Sequence, residues 1–160
     1  MIIFLYGKDG YRLKKNLNKI TQEYKKKHVS GMSFSVLDMT EGTPNGKFNE
    51  LEDLVKTTSF FNEKRLVVIK NPFLMSNELA AFIKKWSLAE DKERIVICIE
   101  YQNESELKKK DKTFYALLTA ERNVVKSFEP LSGKQLESWT AKEFAEQGKK
   151  IEPAAVKKLI

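Results

Sequence analysis

Five short apolar segments punctuate the chain: Ile2 to Tyr6, Ser33 to Leu37, Leu66 to Ile69, Ile95 to Ile99, and Val124 to Phe128. Two of them, Leu66-Val67-Val68-Ile69 and Ile95-Val96-Ile97-Cys98-Ile99, are continuous rather than alternating. Continuous aliphatic runs suit strands covered on both faces, as in a parallel sheet. Between the segments the apolar spacing becomes helical. Leu13, Leu17, Ile20 and Tyr24 fall at i, i+4, i+7 and i+11, a single stripe along one helix. Leu51, Leu54 and Val55 mark a shorter helix. Leu79, Phe82, Ile83 and Trp86 mark another, and Leu107 through Leu118 a fourth with a less regular start. Thr40 to Phe48, with Gly42, Pro44 and Gly46, is a loop by composition. The pattern is that of an α/β domain.

The character changes after Phe128-Glu129-Pro130. Ser132-Gly133-Lys134-Gln135 has the S-x-x-Q spacing of a capping box and opens a helix carrying Leu136, Trp139 and Phe144. Gly148 suits the stop of that helix, and Pro153 suits the first turn of the next. Strands have given way to helices. The expected division is an α/β domain over residues 1–130 and the beginning of a helical domain, cut short, over residues 131–160.

The 160 residues fit this scale, and 41% hydrophobic content is enough for a real core. No apolar run approaches the roughly 20 residues that span a bilayer, so no membrane partner is expected. The N-terminus lacks a cationic leader and cleavage site, and the lone Cys98 has no partner for an intrachain disulfide. These features point to the cytoplasm. A net charge of +7, from 29 basic and 22 acidic residues, biases the chain toward anionic partners. The densest basic runs are Lys25-Lys26-Lys27 and Lys108-Lys109-Lys110, each at a helix end or in a loop. Two readings stand for them: a solvated face complementing the helix dipole, or auxiliary contact with DNA phosphates. No aromatics interleave the lysines, which argues against a stacking groove for single strands.

Candidate chemistry concentrates at the first turn. Ile2-Ile3-Phe4-Leu5-Tyr6 leads into Gly7-Lys8-Asp9-Gly10 and then the first helix. Strand, glycine turn and helix are the setting of a Walker A loop, G-x-x-x-x-G-K-[ST]. Counting from Gly7, Arg12 and Leu13 stand where the second glycine and the phosphate-binding lysine belong, and Lys14 where the Mg²⁺-binding hydroxyl belongs. The neighbouring strand Leu66 to Ile69 continues Lys70-Asn71-Pro72, where a Walker B strand supplies acidic residues. A lysine there repels Mg²⁺. Glu100 ends the next strand but stands alone. The pattern reads as a fold that does not hydrolyse nucleotide, with no metal and no cofactor expected. Gly7 and Gly10 themselves read either as an ordinary strand-to-helix turn or as a degenerate phosphate loop over Gly7, Lys8, Asp9 and Gly10. A free helix N-terminus attracts anions, which leaves weak phosphate binding open.

No catalytic residues emerge elsewhere. His28 has no nucleophile or metal partner near it in sequence, Cys98 reads as a buried small hydrophobe, and Trp86 and Trp139 sit on helix stripes as packing residues. One segment stands apart. Thr57-Thr58-Ser59-Phe60-Phe61-Asn62-Glu63-Lys64-Arg65 sets two adjacent large aromatics among polar residues. Adjacent residues on a helix or turn diverge, so both rings are hard to bury in one core. Either they cap the core beneath the following strand, or they form an exposed wedge for a partner's pocket.

These residues carry a family resemblance. Phe4-Leu5-Tyr6-Gly7-Lys8-Asp9-Gly10-Tyr11-Arg12 and Ser59 through Pro72 resemble the delta subunit of bacterial DNA polymerase III. So does Phe128 through Leu136, with Trp139 and Ile151-Glu152-Pro153 following. Family members are longer, so the chain is similar to their N-terminal portion. The resemblance implies a three-layer, P-loop-NTPase-like (AAA+) α/β domain without ATPase activity. Its five-stranded parallel sheet would have helices on both faces and be followed by the start of a helical lid. It implies a clamp-loader subunit in DNA replication that binds the ring-shaped sliding clamp and opens one interface, with no catalytic site of its own. The implied clamp-binding residues are Ser59, Phe60 and Phe61, where Phe60 departs from the family's usual leucine. The implied partners are the sliding clamp, the ATPase subunits of the loader through the full-length protein, and primer-template DNA through the complex. The competing readings are a basic α/β nucleic-acid-binding module and a nucleotide-dependent phosphotransferase with an unusual loop.

Overall fold

A computed structural model describes residues 1–28, 33–56 and 64–159. The elements run β1 (Ile2–Tyr6), α1 (Gly10–Lys27), β2 (Phe34–Asp38), α2 (Pro44–Lys56) and β3 (Arg65–Lys70). A 3₁₀ turn (Pro72–Met75) and α3 (Ser76–Lys85) follow, then β4 (Arg94–Glu100), α4 (Glu104–Lys110), α5 (Lys112–Leu118) and β5 (Val124–Ser127). α6 (Gly133–Glu146) and α7 (Pro153–Leu159) close the chain. The chain divides into two compact units, Met1–Phe128 and Glu129–Ile160.

The first unit is built on one sheet of order β2-β3-β4-β1-β5, with every strand pair parallel. The continuous apolar runs occupy its centre, where β1 and most of β3 and β4 are buried. Strand side chains alternate between two cores because successive residues point to opposite faces. Ile2, Phe4, Tyr6, Val67, Ile69, Val96 and Cys98 share one core with residues from α2, α3, α4 and α5. Ile3, Leu5, Leu66, Val68, Ile97 and Ile99 share the other with Leu13 and Tyr24 of α1. Three layers follow from that alternation. Helices lie on both faces, α1 on one and α2 to α5 on the other. The edge strands are wetter: Val36 of β2 is 44% exposed, and all of β5 is exposed. No helix among the described residues is long and apolar enough to cross a membrane.

Two stretches depart from the spacing-based expectation. The loop expected over Thr40 to Phe48 ends at Thr43, because α2 begins at Pro44. Proline suits a first helical turn, where its missing N–H costs nothing. The Thr43 hydroxyl accepts the Gly46 N–H at 3.3 Å, and Phe48 already packs on the core, its ring 6.3 Å from that of Phe82. The single helix expected over Leu107 to Leu118 is two. Asp111 closes α4, its N–H donating to the Leu107 carbonyl, and opens α5, its carboxylate accepting the Phe114 N–H at 2.8 Å. Hydrogen bonds from the Phe114 N–H and the Ser76 hydroxyl hold the Asp111 carboxyl below its usual range.

In the second unit the capping box expected at Ser132 does not form. Ser132 is the N-cap of α6 but makes no side-chain cap bond, because Gly133 follows in a left-handed conformation with φ of 51°. The stop at Gly148 does form. Gly148 has φ of 70°, its N–H reaches the Ala145 carbonyl at 2.9 Å, and the Lys149 N–H reaches that of Phe144 at 2.9 Å. That pair of bonds is a Schellman motif. Pro153 opens α7, as its fixed φ favours.

Candidate functional site

The turn from β1 into α1 is bonded to its own chain. Gly7 has φ of 134°, and a Cβ there would lie 2.2 Å from the Phe128 carbonyl oxygen. Glycine is required at position 7 by the approach of another backbone. Gly10 is ordinary helix, with room for a Cβ 3.6 Å from the Tyr101 ring. Three of the N–H groups that a phosphate loop would turn on its ligand are taken. Gly7 donates to the Glu100 carbonyl at 3.1 Å, Asp9 to that of Phe128 at 2.8 Å, and Gly10 to that of Lys8 at 3.0 Å. The Asp9 carboxylate itself accepts the Arg12 N–H at 3.0 Å, so an internal anion caps the helix N-terminus.

Side chains follow the same logic. Leu13, in the lysine position, is fully buried in the α1-side core. The Arg12 guanidinium lies 3.2 Å from the Asp9 carboxylate and stands over the Phe128 ring. The Lys14 ammonium sits 6.0 Å from the centre of the Tyr101 ring. Lys8 pairs at 2.7 Å with Glu106, holding that carboxyl below its usual range. Glu106 in turn completes a capping box with Asn103 at the head of α4. The reading from sequence put a box at Ser132 and none here; the N-x-x-E spacing of Asn103 to Glu106 was the available signal.

At the C-terminal ends of β2, β3 and β4 the chemistry is equally settled. Register sets Asp38 beside Lys70 and Tyr6 beside Glu100. Asn71 takes a left-handed conformation and donates from its side chain to the Asp38 carboxylate at 2.8 Å. Burial pushes Asp38 up, but bonds from the Thr40 hydroxyl and N–H and from Asn71 outweigh it and hold the carboxyl below its usual value. Glu100 is only 3% exposed, and burial raises its pKa, offset in part by Lys110 and the Phe73 N–H. Among the described residues, no three His, Cys, Asp or Glu side chains are grouped to hold a metal ion. Cys98 is fully buried, its thiol pushed up to about 12 by burial. His28 caps the end of α1 with its ring 4.5 Å from that of Tyr24.

Ser59, Phe60 and Phe61 lie outside the described residues. The elements on either side are well anchored. Leu51 and Val55 of α2 are each 1% exposed in the larger core. The Arg94 guanidinium donates to the Val55 carbonyl at 2.6 Å. On the far side, Arg65 begins β3 with its N–H on the Glu93 carbonyl at 2.8 Å. Arg94 is 39 positions from Val55, and no local spacing in the sequence announces that bond.

A parallel sheet of order β2-β3-β4-β1-β5, entered through a glycine turn that leads into a helix, defines a P-loop-like α/β domain, here with its loop closed on itself. The model of the family described as DNA polymerase III, delta subunit, matches residues 4–128. The chain belongs to that family. A DNA polymerase III subunit delta from Bacillus subtilis (strain 168) is 31% identical over 74 residues, which is 46% of this chain and 20% of the relative. Among solved structures, the Bacillus subtilis DNA clamp loader delta protein (YqeN) has the same fold, with a TM-score of 0.60 at 20% identity. That match covers 99% of this chain and 47% of the other. The chain therefore spans less than half the length of either relative.

Proposed function

We propose that the chain is the N-terminal portion of a noncatalytic clamp-loader subunit, one that binds the sliding clamp and opens it for loading onto primed DNA. The observation that carries this reading is the family match over residues 4–128, which takes in the segment with the adjacent phenylalanines. In this reading Ser59, Phe60 and Phe61 dock in a pocket of the clamp. Each phenylalanine buried there contributes about 1.5–3 kcal/mol, enough for an interface hot spot. Docking favours the open ring over the closed one and so shifts the ring's population.

The β1–α1 turn supports a subunit that is not itself a motor. In the degenerate phosphate loop of Gly7, Lys8, Asp9 and Gly10, the N–H groups of Gly7, Asp9 and Gly10 are spent on the chain's own carbonyls, and Leu13 offers no cation to a γ-phosphate. ATP acts on the neighbouring subunits of the loader, which the longer protein joins, and primer-template DNA is reached through the assembled complex. Residues 131–160 are read as the beginning of the helical lid.

Gel filtration of the chain mixed with a bacterial sliding clamp tests the proposal. Coelution is expected for the wild-type chain and separate peaks for the Phe60→Ala/Phe61→Ala double variant. Calorimetry with Mg-ATP is expected to show no binding. Separate elution of the wild-type chain, or saturable Mg-ATP binding, would overturn the reading.

A further inference from the structure

α1 concentrates charge that the rest of the chain nearly balances. Its 18 residues hold seven basic side chains and one acidic one, Glu23, so this helix supplies six of the chain's net +7. The stripe of Leu13, Leu17, Ile20 and Tyr24 packs on the sheet, which fixes where the other positions turn. With 3.6 residues per turn, Lys14 and Lys25 fall on one side of the outward face and Lys19 and Lys26 on the other. The two sides stand about 100° apart, with Asn18 and Gln22 between them. All six side chains are exposed. Lys15 shares this face but is already engaged within its own chain. Glu23 lies on the flank, where with Lys27 and His28 it borders a cavity between α1 and the sheet.

Local stability does not account for these lysines. The helix dipole favours cations in the last turn, which covers Lys25 and Lys26. Lys14 and Lys19 stand in the N-terminal half, after a first turn without an acidic residue. Elsewhere helical lysines are matched one turn away: Lys56 pairs with Glu52 at 2.8 Å, and Lys108 with Glu104. Among the described residues, Lys14, Lys19, Lys25 and Lys26 form no salt bridge. Lys14 and Lys25 lie 6.0 and 4.8 Å from the ring centres of Tyr101 and Phe34, contacts that attract a cation without cancelling its charge.

A face of this kind suits a polyanion. A helix lying on a membrane buries Trp, Phe or Leu there, whereas the apolar stripe of α1 is committed to the sheet. The cores of protein interfaces are poor in lysine. Single strands are held on runs of stacked aromatics, and this face offers one, Tyr11. Duplex DNA carries one negative charge per about 1.7 Å of axis, and Lys14 to Lys26 spans about 18 Å of helix. A helix about 10–12 Å wide matches a major groove about 12 Å wide, which sets its two flanks toward two phosphate strands. We infer that the outward face of α1 is a contact surface for duplex DNA, with Lys14 and Lys25 on the phosphates of one strand and Lys19 and Lys26 on those of the other. This adds a direct contact to the DNA that the proposed function reaches through the complex, and it does not rest on Phe60 or Phe61.

The test is fluorescence anisotropy of a labelled duplex of about 20 base pairs, titrated with the chain at salt from about 50 to about 200 mM. Four phosphate contacts give a slope of log K against log salt of about −3.6, so affinity should fall about a hundredfold over that range. Lys19→Ala/Lys26→Ala should weaken binding at the lower salt and cut the slope to about −1.8, a fall of only about tenfold. Lys108→Ala/Lys109→Ala removes the same charge from exposed positions of α4 and should leave the slope at its wild-type value. Circular dichroism checks that both variants are folded. The Phe60→Ala/Phe61→Ala variant should bind the duplex as the wild type does, so a failure of clamp docking leaves this result standing. Three results would each overturn the inference: no duplex binding at the lower salt, equal slopes for the two lysine variants, or tighter binding to phosphatidylserine vesicles or to a single strand of the same length than to the duplex.

Discussion

Replacing Gly7 by alanine tests why the β1–α1 turn contains a glycine at all. The new Cβ would stand 2.2 Å from the Phe128 carbonyl oxygen, 2.5 Å from its carbon and 2.7 Å from its nitrogen. All three are backbone atoms, so no rotamer change relieves the overlap. The chain near Phe128 must move away, straining two hydrogen bonds: Asp9 N–H to Phe128 at 2.8 Å and Phe128 N–H to Tyr6 at 2.7 Å. Each is worth about 1 kcal/mol net. Holding a non-glycine residue at φ of 134° adds about 1–3 kcal/mol. The expected loss is about 3–5 kcal/mol, a large share of a typical stability of about 5–15 kcal/mol. Urea unfolding followed by circular dichroism measures it. Gly10→Ala is the internal control, since its Cβ has ordinary contacts with the Tyr101 ring and its φ is not positive; it should lie within about 1 kcal/mol of wild type. A Gly7→Ala protein as stable as Gly10→Ala would refute the reasoning. The glycine would then have to be explained by something other than the approach of Phe128.

Asp9→Ala should lower stability by about 1 kcal/mol through loss of the helix cap, and Asp9→Asn by less because the amide oxygen still accepts the Arg12 N–H; equal losses would assign the effect to the ion pair with Arg12 instead. Glu100 is raised by burial, so it binds its proton more tightly folded than unfolded. The fold is accordingly most favoured below the ordinary carboxyl pKa and loses stability as pH rises through the raised folded value. Glu100→Gln should therefore be more stable than wild type at neutral pH, with the advantage fading in urea titrations toward pH 4.5, the ordinary glutamate value; an advantage constant with pH would contradict this. The buried Cys98 thiol, pushed up to about 12, should react with an aromatic disulfide reagent no faster than the chain unfolds, and immediate reaction in the native state would show that it is accessible.

How much of this was legible in the sequence depended on range. β3 and β4 were plain because both of their faces are buried, which forces an unbroken apolar run; β5, exposed throughout, was marked only by its valines. Pro44 and Gly46 read as loop residues because composition does not distinguish a turn from the first turn of a helix; Thr43 three positions before Gly46 was the deciding feature. Leu107, Phe114, Tyr115 and Leu118 face one core and so read as one helix, while the break at Asp111 is made by a side chain returning to its own backbone. At the phosphate-loop position the substitutions Arg12, Leu13 and Lys14 were visible by counting. The Asp9 cap is local, and Asp9 directly before the helix was its available signal. That Phe128 crowds Gly7 was not visible, because β5 is β1's neighbour in the sheet but more than a hundred residues away in sequence. Arg94 was invisible for the same reason: its partner carbonyl lies on an element remote in sequence.

The most direct measurement of the central claim is a titration of a bacterial sliding clamp with this chain in parallel with its Phe60→Ala/Phe61→Ala variant, followed by calorimetry. The account predicts saturable binding by the wild-type chain that falls at least tenfold in the variant, as loss of even one buried phenylalanine implies. Equal affinity of the two, or no binding by either, would contradict it.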